Sequence, residues 1–487
     1  MKTFSIHTLG CKVNQYESQQ IRQLLEDFEL RSAEPSEEPD MVVINTCCVT
    51  HTASAKSRQQ VRKFQKHHPE AILVVCGCLP VAGSDISRLN PPAGQSATRA
   101  ENIKFVTNRD ELAAILIQLV SRACPLQHCR TDPHYTGRFY HQSINSIKPE
   151  NALKIKSKNQ FHENPDLPKL TCFKDQTRAF LKVQDGCDAF CSYCIIPKIR
   201  SDISSKPVNE ALEEAKTLVR AGHREIVITG ICLGAYGRKS ARRRHDISEK
   251  TDYLADLVEK IAQIPHLERI RLSSIEPSDI TERLLDVFRT CSNIMPHLHL
   301  SLQSGSDDVL KKMCRRYKIN DVRRKIDRIK TLLDRPAITT DIIVGFPGET
   351  DANFDETVEV VKQTGFAKIH VFRFSPREGT SASRMKGSID SKIVNYRSEI
   401  LHELDKQSGY NFRNQFTGKN DTILVENVNG QISGISERYF TVKIESPGNS
   451  TLKSRFRKND LVKVKLVGNN RDSMTGMPIG DKIALPS

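Results

Sequence analysis

Between residues 179 and 375 the chain repeats one unit six times, a short apolar run followed by an amphipathic stretch of helical period. The runs are FLKVQ (180–184), EIVIT (225–229), RIRLS (269–273), HLHLSL (297–302), ITTDIIVG (338–345) and KIHVFRF (368–374). Amphipathic segments such as NEALEEAKTLVRAG and DYLADLVEKIAQI follow them. Apolar strands interleaved with helices build a parallel sheet covered by those helices. Right-handed crossovers roll such a repeat into a barrel whose functional loops lie at the carboxyl ends of the strands. Six units fall short of the closed barrel's eight, so the expected form is an open (β/α)6 partial barrel.

The loop after the first of these strands is Cys187-Asp-Ala-Phe-Cys191-Ser-Tyr-Cys194. Three soft thiolates this close suit an iron–sulfur cluster. Structural zinc is the competing reading, but zinc sites usually take four ligands in paired CxxC arms or with an added His. The residues after Cys194 are IIPKIR, which offer no fourth ligand at zinc spacing. Three ligands leave one iron of a four-iron cluster open for chemistry.

Residues 1–120 alternate strand and helix as well: FSIHTLG (4–10), a helical stretch over 14–28, MVVINT (41–46), a helix around 57–68, AILVVCG (71–77), NIKFVT (102–107) and ELAAILIQLVSRA (111–123). This pattern predicts a doubly wound parallel sheet. In such sheets ligands gather beyond the carboxyl ends of the strands. Cys11, Cys47 and Cys78 occupy those ends on three successive strands, a second thiol trio that the fold can bring together. Cys48 and Cys76 adjoin these positions and read as packing residues, with ligand swapping the minor alternative.

From about 124 to 175 the pattern dissolves into a polar stretch rich in Lys, His, Asn and Pro, read as a linker or irregular insertion. Cys124, Cys129 and Cys172 lie there without strand context, and Cys124 with Cys129 reads as a spare pair rather than a metal site. After a helical segment near 392–408, DTILVENVNG, YFTVKIES and DLVKVKLVG are β-rich and bounded by turn residues, which suggests a small five-stranded barrel of the oligonucleotide-binding type. From Arg413 onward there are 12 Lys and Arg against 7 Asp and Glu. No dense aromatic platform is visible there, so phosphate and shape contacts are expected to outweigh base stacking. The net charge of the chain is +15, which favours a polyanionic partner such as RNA; a basic protein without one is the alternative. Fourteen cysteines in a long chain with no signal-peptide pattern and no membrane-length apolar run point to a cytoplasmic protein that uses them for metal or redox chemistry.

CDAFCSYC, with an aromatic residue before its last cysteine, resembles the signature loop of the radical S-adenosylmethionine enzymes. In that family three cysteines hold a [4Fe–4S] cluster and the cofactor's amino and carboxylate groups chelate the fourth iron. One electron from the cluster then cleaves a carbon–sulfur bond to release a 5′-deoxyadenosyl radical. TLGCKVNQYES, VINTCCVT, the paired GC of VVCGCLP, VQDGCDAFCSYCIIPKIR, ITGICLGAYG, IRLSSIEPSD, HLSLQSGSDDVLKKMCRRY, TDIIVGFPGET and HVFRFSPREGTSA all resemble methylthiotransferase motifs. KVNQYES, LSSIEP and HLSLQSGSD are similar to the subgroup acting on N6-threonylcarbamoyladenosine at position 37 of tRNA, and the last domain is similar to that family's TRAM module.

The resemblance implies an auxiliary-cluster domain at 1–123, the linker at 124–175, a radical S-adenosylmethionine partial barrel at 176–412 and an RNA-binding β-barrel at 413–487. It implies a second [4Fe–4S] cluster on Cys11, Cys47 and Cys78 whose open iron carries sulfur, facing the first cluster across the nucleotide with the first domain over the barrel mouth. Cys187, Cys191 and Cys194 would be the catalytic cluster ligands. Thr229 and Gly230 would meet the cofactor's amino group, Ser301 and Gln303 its ribose, and Gly345 its adenine. Taken alone, GFPGET reads as an ordinary strand-to-helix turn with Glu349 and Thr350 near the helix start. A phosphate-binding loop is not expected, since GxxxxGK[ST] does not occur.

The implied partners are a tRNA anticodon-loop adenosine, a low-potential electron donor such as flavodoxin or ferredoxin, and a sulfur source, with a monomer expected. Rival substrates are isopentenyladenosine in tRNA and a ribosomal-protein aspartate. A protein of another class, a non-catalytic RNA binder braced by clusters, fits the basic last domain but not two trios that each lack a fourth ligand. After the cysteine loop, Arg200-Ser-Asp-Ile-Ser-Ser departs from the family's RGxxRS run, which leaves the pocket's completion there undefined. The basic insert RKSARRRH (238–245) reads as a solvated loop or a tRNA backbone contact. The segment 84–102 reads as an edge of the substrate entrance.

Overall fold

The computed structural model describes residues 1–82, 102–123, 165–242, 252–445 and 456–479. The chain divides into two compact units, Met1–Leu170 and Thr171–Ser487. Cys124, Cys129 and the 84–101 stretch lie outside the described residues.

In the first unit, β1 (Thr3–Thr8), β2 (Arg31–Ser32), β3 (Met41–Thr46), β4 (Ile72–Gly77) and β5 (Ile103–Phe105) form a parallel sheet in the order β2-β1-β3-β4-β5. The order reverses between β1 and β3, which makes that gap the topological switch point where doubly wound sheets bind ligands. Every residue of β3 is buried, as a central strand covered on both faces must be. The amphipathic helices Lys12–Asp27 and Leu112–Ala123 send Ile21, Leu24, Leu25 and Leu116 into the core with Phe4, Met41, Val43 and Val74. The segment NIKFVT contributes three strand residues at the sheet edge, next to β4.

The second unit starts with the expected arc. Strands β6 (Ala179–Asp185), β8 (Glu225–Gly230) and β9 (Arg269–Leu272) pair in parallel, as do β10 (His297–Gln303), β11 (Ala337–Val344) and β12 (Lys368–Arg373). Isolated parallel bridges, Ile270 with Ile294 and Ile275 with Leu300, join the halves between β9 and β10. The sheet thus stays open, with its thinnest seam beside the shortest of the six strands, four residues long. A two-residue strand, β7 (Ser204–Ser205), adds antiparallel to β6. It is too short for its period to show in sequence.

The helix Ser391–Asn414 leads into β13 (Asn420–Asn427), β14 (Ser433–Ser436), β15 (Thr441–Ile444), β16 (Leu461–Asn469) and β17 (Met474–Pro478), a closed barrel ordered β13-β14-β15-β17-β16. Ile423, Val425, Val442, Ile444, Val462, Val464 and Leu466 fill it. This barrel is fastened to the amino-terminal ends of the arc strands. Arg269, first in β9, donates to the carbonyls of Ile435 (3.0 Å) and Thr422. Arg271 donates to those of Glu437 (2.9 Å) and Ser436 (2.8 Å). Glu225, first in β8 and fully buried, lies 2.9 Å from Arg271, 3.7 Å from Arg269 and 4.0 Å from Arg178. Arg178 reaches across to Glu426 (2.7 Å) and the Tyr439 hydroxyl (3.0 Å), and His297, first in β10, stacks on the Tyr439 ring at 4.5 Å. No described helix is long and apolar enough to cross a membrane.

Candidate metal centres

Gly186 turns the chain out of β6 into the cysteine loop. Its φ is +76°, and a Cβ there would stand 1.9 Å from the Asp202 carbonyl oxygen, so only glycine fits. Backbone bonds then fix the loop: the Cys187 N–H donates to the Arg200 carbonyl (2.9 Å), the Ser192 N–H to Met313 (3.1 Å), and Ala382 N–H to Ser192 (2.8 Å). The Ser192 hydroxyl adds a bond to the Lys312 carbonyl (2.8 Å). Arg200 is buried against Asp185 (2.9 Å), so the residue that opens the departing run anchors the strand end rather than lining open space.

Gln184 ties the ends of β6 and β8 together. Its amide donates to the Asp185 and Gly186 carbonyls (2.8 Å each), and its Oε1 accepts from the Cys232 N–H (2.7 Å). Gly230 sits opposite it, where a Cβ would meet Gln184 Cβ and Oε1 at 2.9 Å; Thr229 beside it is buried. The carbonyl of Ser301 is occupied, accepting from Arg315 Nη2 (2.9 Å) and the Tyr317 hydroxyl (2.7 Å). Gln303 has φ +74° and closes a bulge in the β10–β11 register. Gly345 has φ +76°, and its N–H donates to Glu349 Oε2 (2.8 Å). Burial raises the Glu349 carboxyl, which is partly offset by Gly345 and by Arg397 at 2.7 Å. GFPGET is therefore a strand-to-helix turn with its own buried ion pair, and Thr350 caps the following helix through Asn353 (3.2 Å).

Gln184, Thr229, Gly230, Ser301, Gln303 and Gly345 stand at carboxyl ends of the arc strands. Arg315 joins them physically: its Nη1 donates to Cys191 Sγ (3.2 Å) and lies 3.1 Å from Glu276 beyond β9, while Nη2 reaches Ser301 at the end of β10. Neither Arg315 nor Glu276 had a role assigned from sequence, although both lie in the motifs CRRY and SSIEP. Cys232 is the other unanticipated neighbour. Its hydrogen bond with Cys187 lowers the Cys187 thiol and, with burial, pushes its own well up. Burial raises Cys191 and pushes Cys194 up to about 12.

Ala241 and Arg242 of the basic insert pack on this loop. Arg242 lies 4.7 Å over the Phe190 ring and donates to the Asp188 carbonyl, and Arg316 donates to the carbonyls of Ala241 (2.5 Å) and Arg242 (2.7 Å). These two residues thus brace the cysteine loop; residues 243–245 lie outside the described residues. Cys172 stands apart, 3.9 Å from His223 Nε2.

In the first unit the thiols of the other trio follow β1, β3 and β4. Cys11 precedes the helix Lys12–Asp27, Cys47 follows the last residue of β3, and Cys78 follows Gly77. Gly10 brings the first two loops together: with φ +109°, a Cβ on it would lie 2.9 Å from Cys47 Cβ. Asn14 donates to the carbonyls of Leu9 (2.8 Å) and Thr46 (2.9 Å), and Asn45 to the Asn14 carbonyl (2.9 Å). The Thr46 hydroxyl donates to the Cys76 carbonyl (2.5 Å) and accepts from the Leu79 N–H (3.2 Å). These side chains clasp the switch-point end of the sheet. Cys48 donates to the Cys78 carbonyl (3.4 Å) and Cys76 lies in the core, consistent with packing.

Among the described residues no three His, Cys, Asp or Glu side chains converge on a single metal ion. A four-iron cube is gripped at separate corners, so its thiolates need not point at one spot. Sulfur-only donors on a loop fixed by backbone hydrogen bonds fit such a cluster.

Comparison with known proteins agrees. Residues 181–361 match the Radical SAM superfamily and residues 3–92 match Uncharacterized protein family UPF0004. The Threonylcarbamoyladenosine tRNA methylthiotransferase MtaB of Thermotoga maritima is 35% identical over 452 residues, 92% of each chain. That of Chlamydia pneumoniae is 35% identical over 467 residues, 95% of each chain. The tRNA-2-methylthio-N(6)-dimethylallyladenosine synthase of Oceanobacillus iheyensis is 28% identical, across 99% of this chain and 85% of its own. The chain belongs to the radical S-adenosylmethionine tRNA methylthiotransferases, in the threonylcarbamoyladenosine branch of that family.

Proposed function

We propose that this enzyme transfers a methylthio group to C2 of N6-threonylcarbamoyladenosine at position 37 of tRNA. In this reading Cys187, Cys191 and Cys194 hold one [4Fe–4S] cluster, and Cys11, Cys47 and Cys78 hold a second. The observation that carries it is the second trio, set at the carboxyl ends of three neighbouring strands around a switch point. A second trio with an open iron suits a reaction that must hold sulfur apart from the radical-generating centre. The relatives whose names contain threonylcarbamoyladenosine are also more similar, at 34–35% identity against 28–30%.

When bound, the clusters and S-adenosylmethionine supply one-electron cleavage of a sulfonium bond and a sulfur for insertion, which an unreactive aromatic C–H bond requires. The protein's residues supply position. Gly186, Gln184 and Ser192 hold the first cysteine loop rigid, and Thr229, Gly230, Ser301, Gln303 and Gly345 form the strand-end rim where the cofactor would lie. Asn14, Asn45 and Thr46 hold the second trio's loops. The domain limits are 1–123, 176–412 and 413–487, with 124–175 as connection. The basic last barrel would hold tRNA phosphates, and a low-potential reductant and a sulfur source complete the requirements.

The test is anaerobic reconstitution followed by reaction with S-adenosylmethionine, reductant, sulfide and tRNA. About eight irons per chain and a methylthio mass gain confined to the threonylcarbamoyl nucleoside are expected. Modification of isopentenyladenosine instead, or zinc in place of iron, overturns the reading.

A further inference from the structure

Arg315 comes to the cysteine loop from elsewhere in the chain, just past the helix Asp307–Lys312. Its side chain is only 4% exposed, so the guanidinium is a buried charge that cannot be neutralised by losing a proton. Four groups hold it. Nε donates to the Tyr317 hydroxyl (2.9 Å), Nη2 to the Ser301 carbonyl (2.9 Å), Nη1 lies 3.1 Å from Glu276, and Nη1 also donates to Cys191 Sγ at 3.2 Å. Tyr317 in turn donates to the Ser301 and Leu302 carbonyls (2.7 and 2.8 Å), and its ring lies 5.1 Å from the guanidinium carbon. The fork is therefore fixed, with one tine aimed at a single sulfur of the trio.

We propose that Arg315 is a positioning residue that sets the reduction potential of the cluster bound through Cys191. This rests on the reading of Cys191 as a ligand. Adding an electron makes a cluster more negative, and a charged N–H donor on a ligand sulfur favours the more negative state. Arg315 thus makes the centre easier to reduce. A lysine in its place keeps the charge but lacks the fork that serves Cys191 and Ser301 together.

The experiment uses the full chain with Cys11, Cys47 and Cys78 all changed to Ala, so that one cluster reports. It is reconstituted anaerobically and titrated potentiometrically by electron paramagnetic resonance, without S-adenosylmethionine. Arg315→Gln is expected to lower the reduced-to-oxidised ratio at fixed potential about tenfold, equivalent to about 59 mV for one electron. Arg315→Lys should fall between, and serves alone if the Gln variant loads no iron. An unchanged ratio in a fully loaded variant overturns the proposal. So does a shift that appears only after S-adenosylmethionine is added, which would make Arg315 a partner of the cofactor's carboxylate. Cys191→Ala in the same background separates the premise: full iron loading there would sink the ligand reading itself.

Discussion

Replacing Glu225 with Gln asks how firmly the last barrel is held to the arc. Glu225 is fully buried and faces three guanidiniums: Arg271 at 2.9 Å, Arg269 at 3.7 Å and Arg178 at 4.0 Å. Gln keeps the shape and removes the charge, leaving Glu426, 2.7 Å from Arg178, and Glu437 and Asp421 near Arg269 as counter-charges. Burial already holds the Arg269 guanidinium below its ordinary value, with Glu225 as the largest opposing influence. Breaking such a cluster from one side costs about 3–5 kcal/mol. At about 2 °C per kcal/mol, the low end suited to a large unit, the melting midpoint should fall by roughly 6–10 °C. Calorimetry measures it, and limited proteolysis at 415–419, between the long helix and β13, should accelerate. The paired change Glu225→Met with Arg271→Met should cost much less than the sum of the single changes, because the charge and its partner leave together. A loss under about 1 kcal/mol for Glu225→Gln, or strict additivity of the pair, would refute the view that these charges hold the barrel.

Cys47→Ala should lower reconstituted iron from about eight to about four per chain while Cys48→Ala leaves it unchanged, as measured by colorimetric iron assay. Gly77→Ala places a Cβ 2.5 Å from the Thr46 carbonyl oxygen at φ +87°, so backbone strain of about 1–3 kcal/mol plus displacement of β3 should cost the same four irons or so. Gly222→Ala, at φ +97° but with nothing within 4 Å, should retain full iron. Asp421, in β13 of the barrel, is buried, and burial first, then Glu437, raises its carboxyl to about 6. A carboxyl raised by folding favours the folded state below its unfolded value and loses that advantage as pH climbs through about 6. Relative to Asp421→Asn, the wild-type melting midpoint should therefore fall between about pH 4 and pH 7 and then level off. A flat difference across that window refutes the assignment.

The βα rhythm was legible because amphipathic helices separate the arc strands and mark them off, even the four-residue β9: every arc strand was read within two residues of its limits, from Ala179 to Arg373. β7, β14 and β17 escaped it. They have two, four and five residues with Ser, Gly or Pro among them, too short to show a period. The five-stranded closure was inferred from the three segments that do alternate. At the candidate site, cysteine spacing gave the loop and strand ends gave the second trio. The supporting groups were hidden because their partners are remote in sequence: Arg315 stands 124 positions from Cys191, and Asn14 is 32 from the Thr46 carbonyl it clasps. Local pattern carries no trace of such pairings.

The arc carries the closed β-barrel at one pole and its cysteine loop at the other, with the strands as the rod between them. The longest, Ala337–Val344, has eight residues, which at about 3.3 Å each measures roughly 26 Å. A free nucleoside can occupy only one end of such a ruler. Under the function proposed above, a polynucleotide held by the barrel would stretch along the whole rod before its target base reached the other end, so length and folded shape would be gauged as well as the base itself.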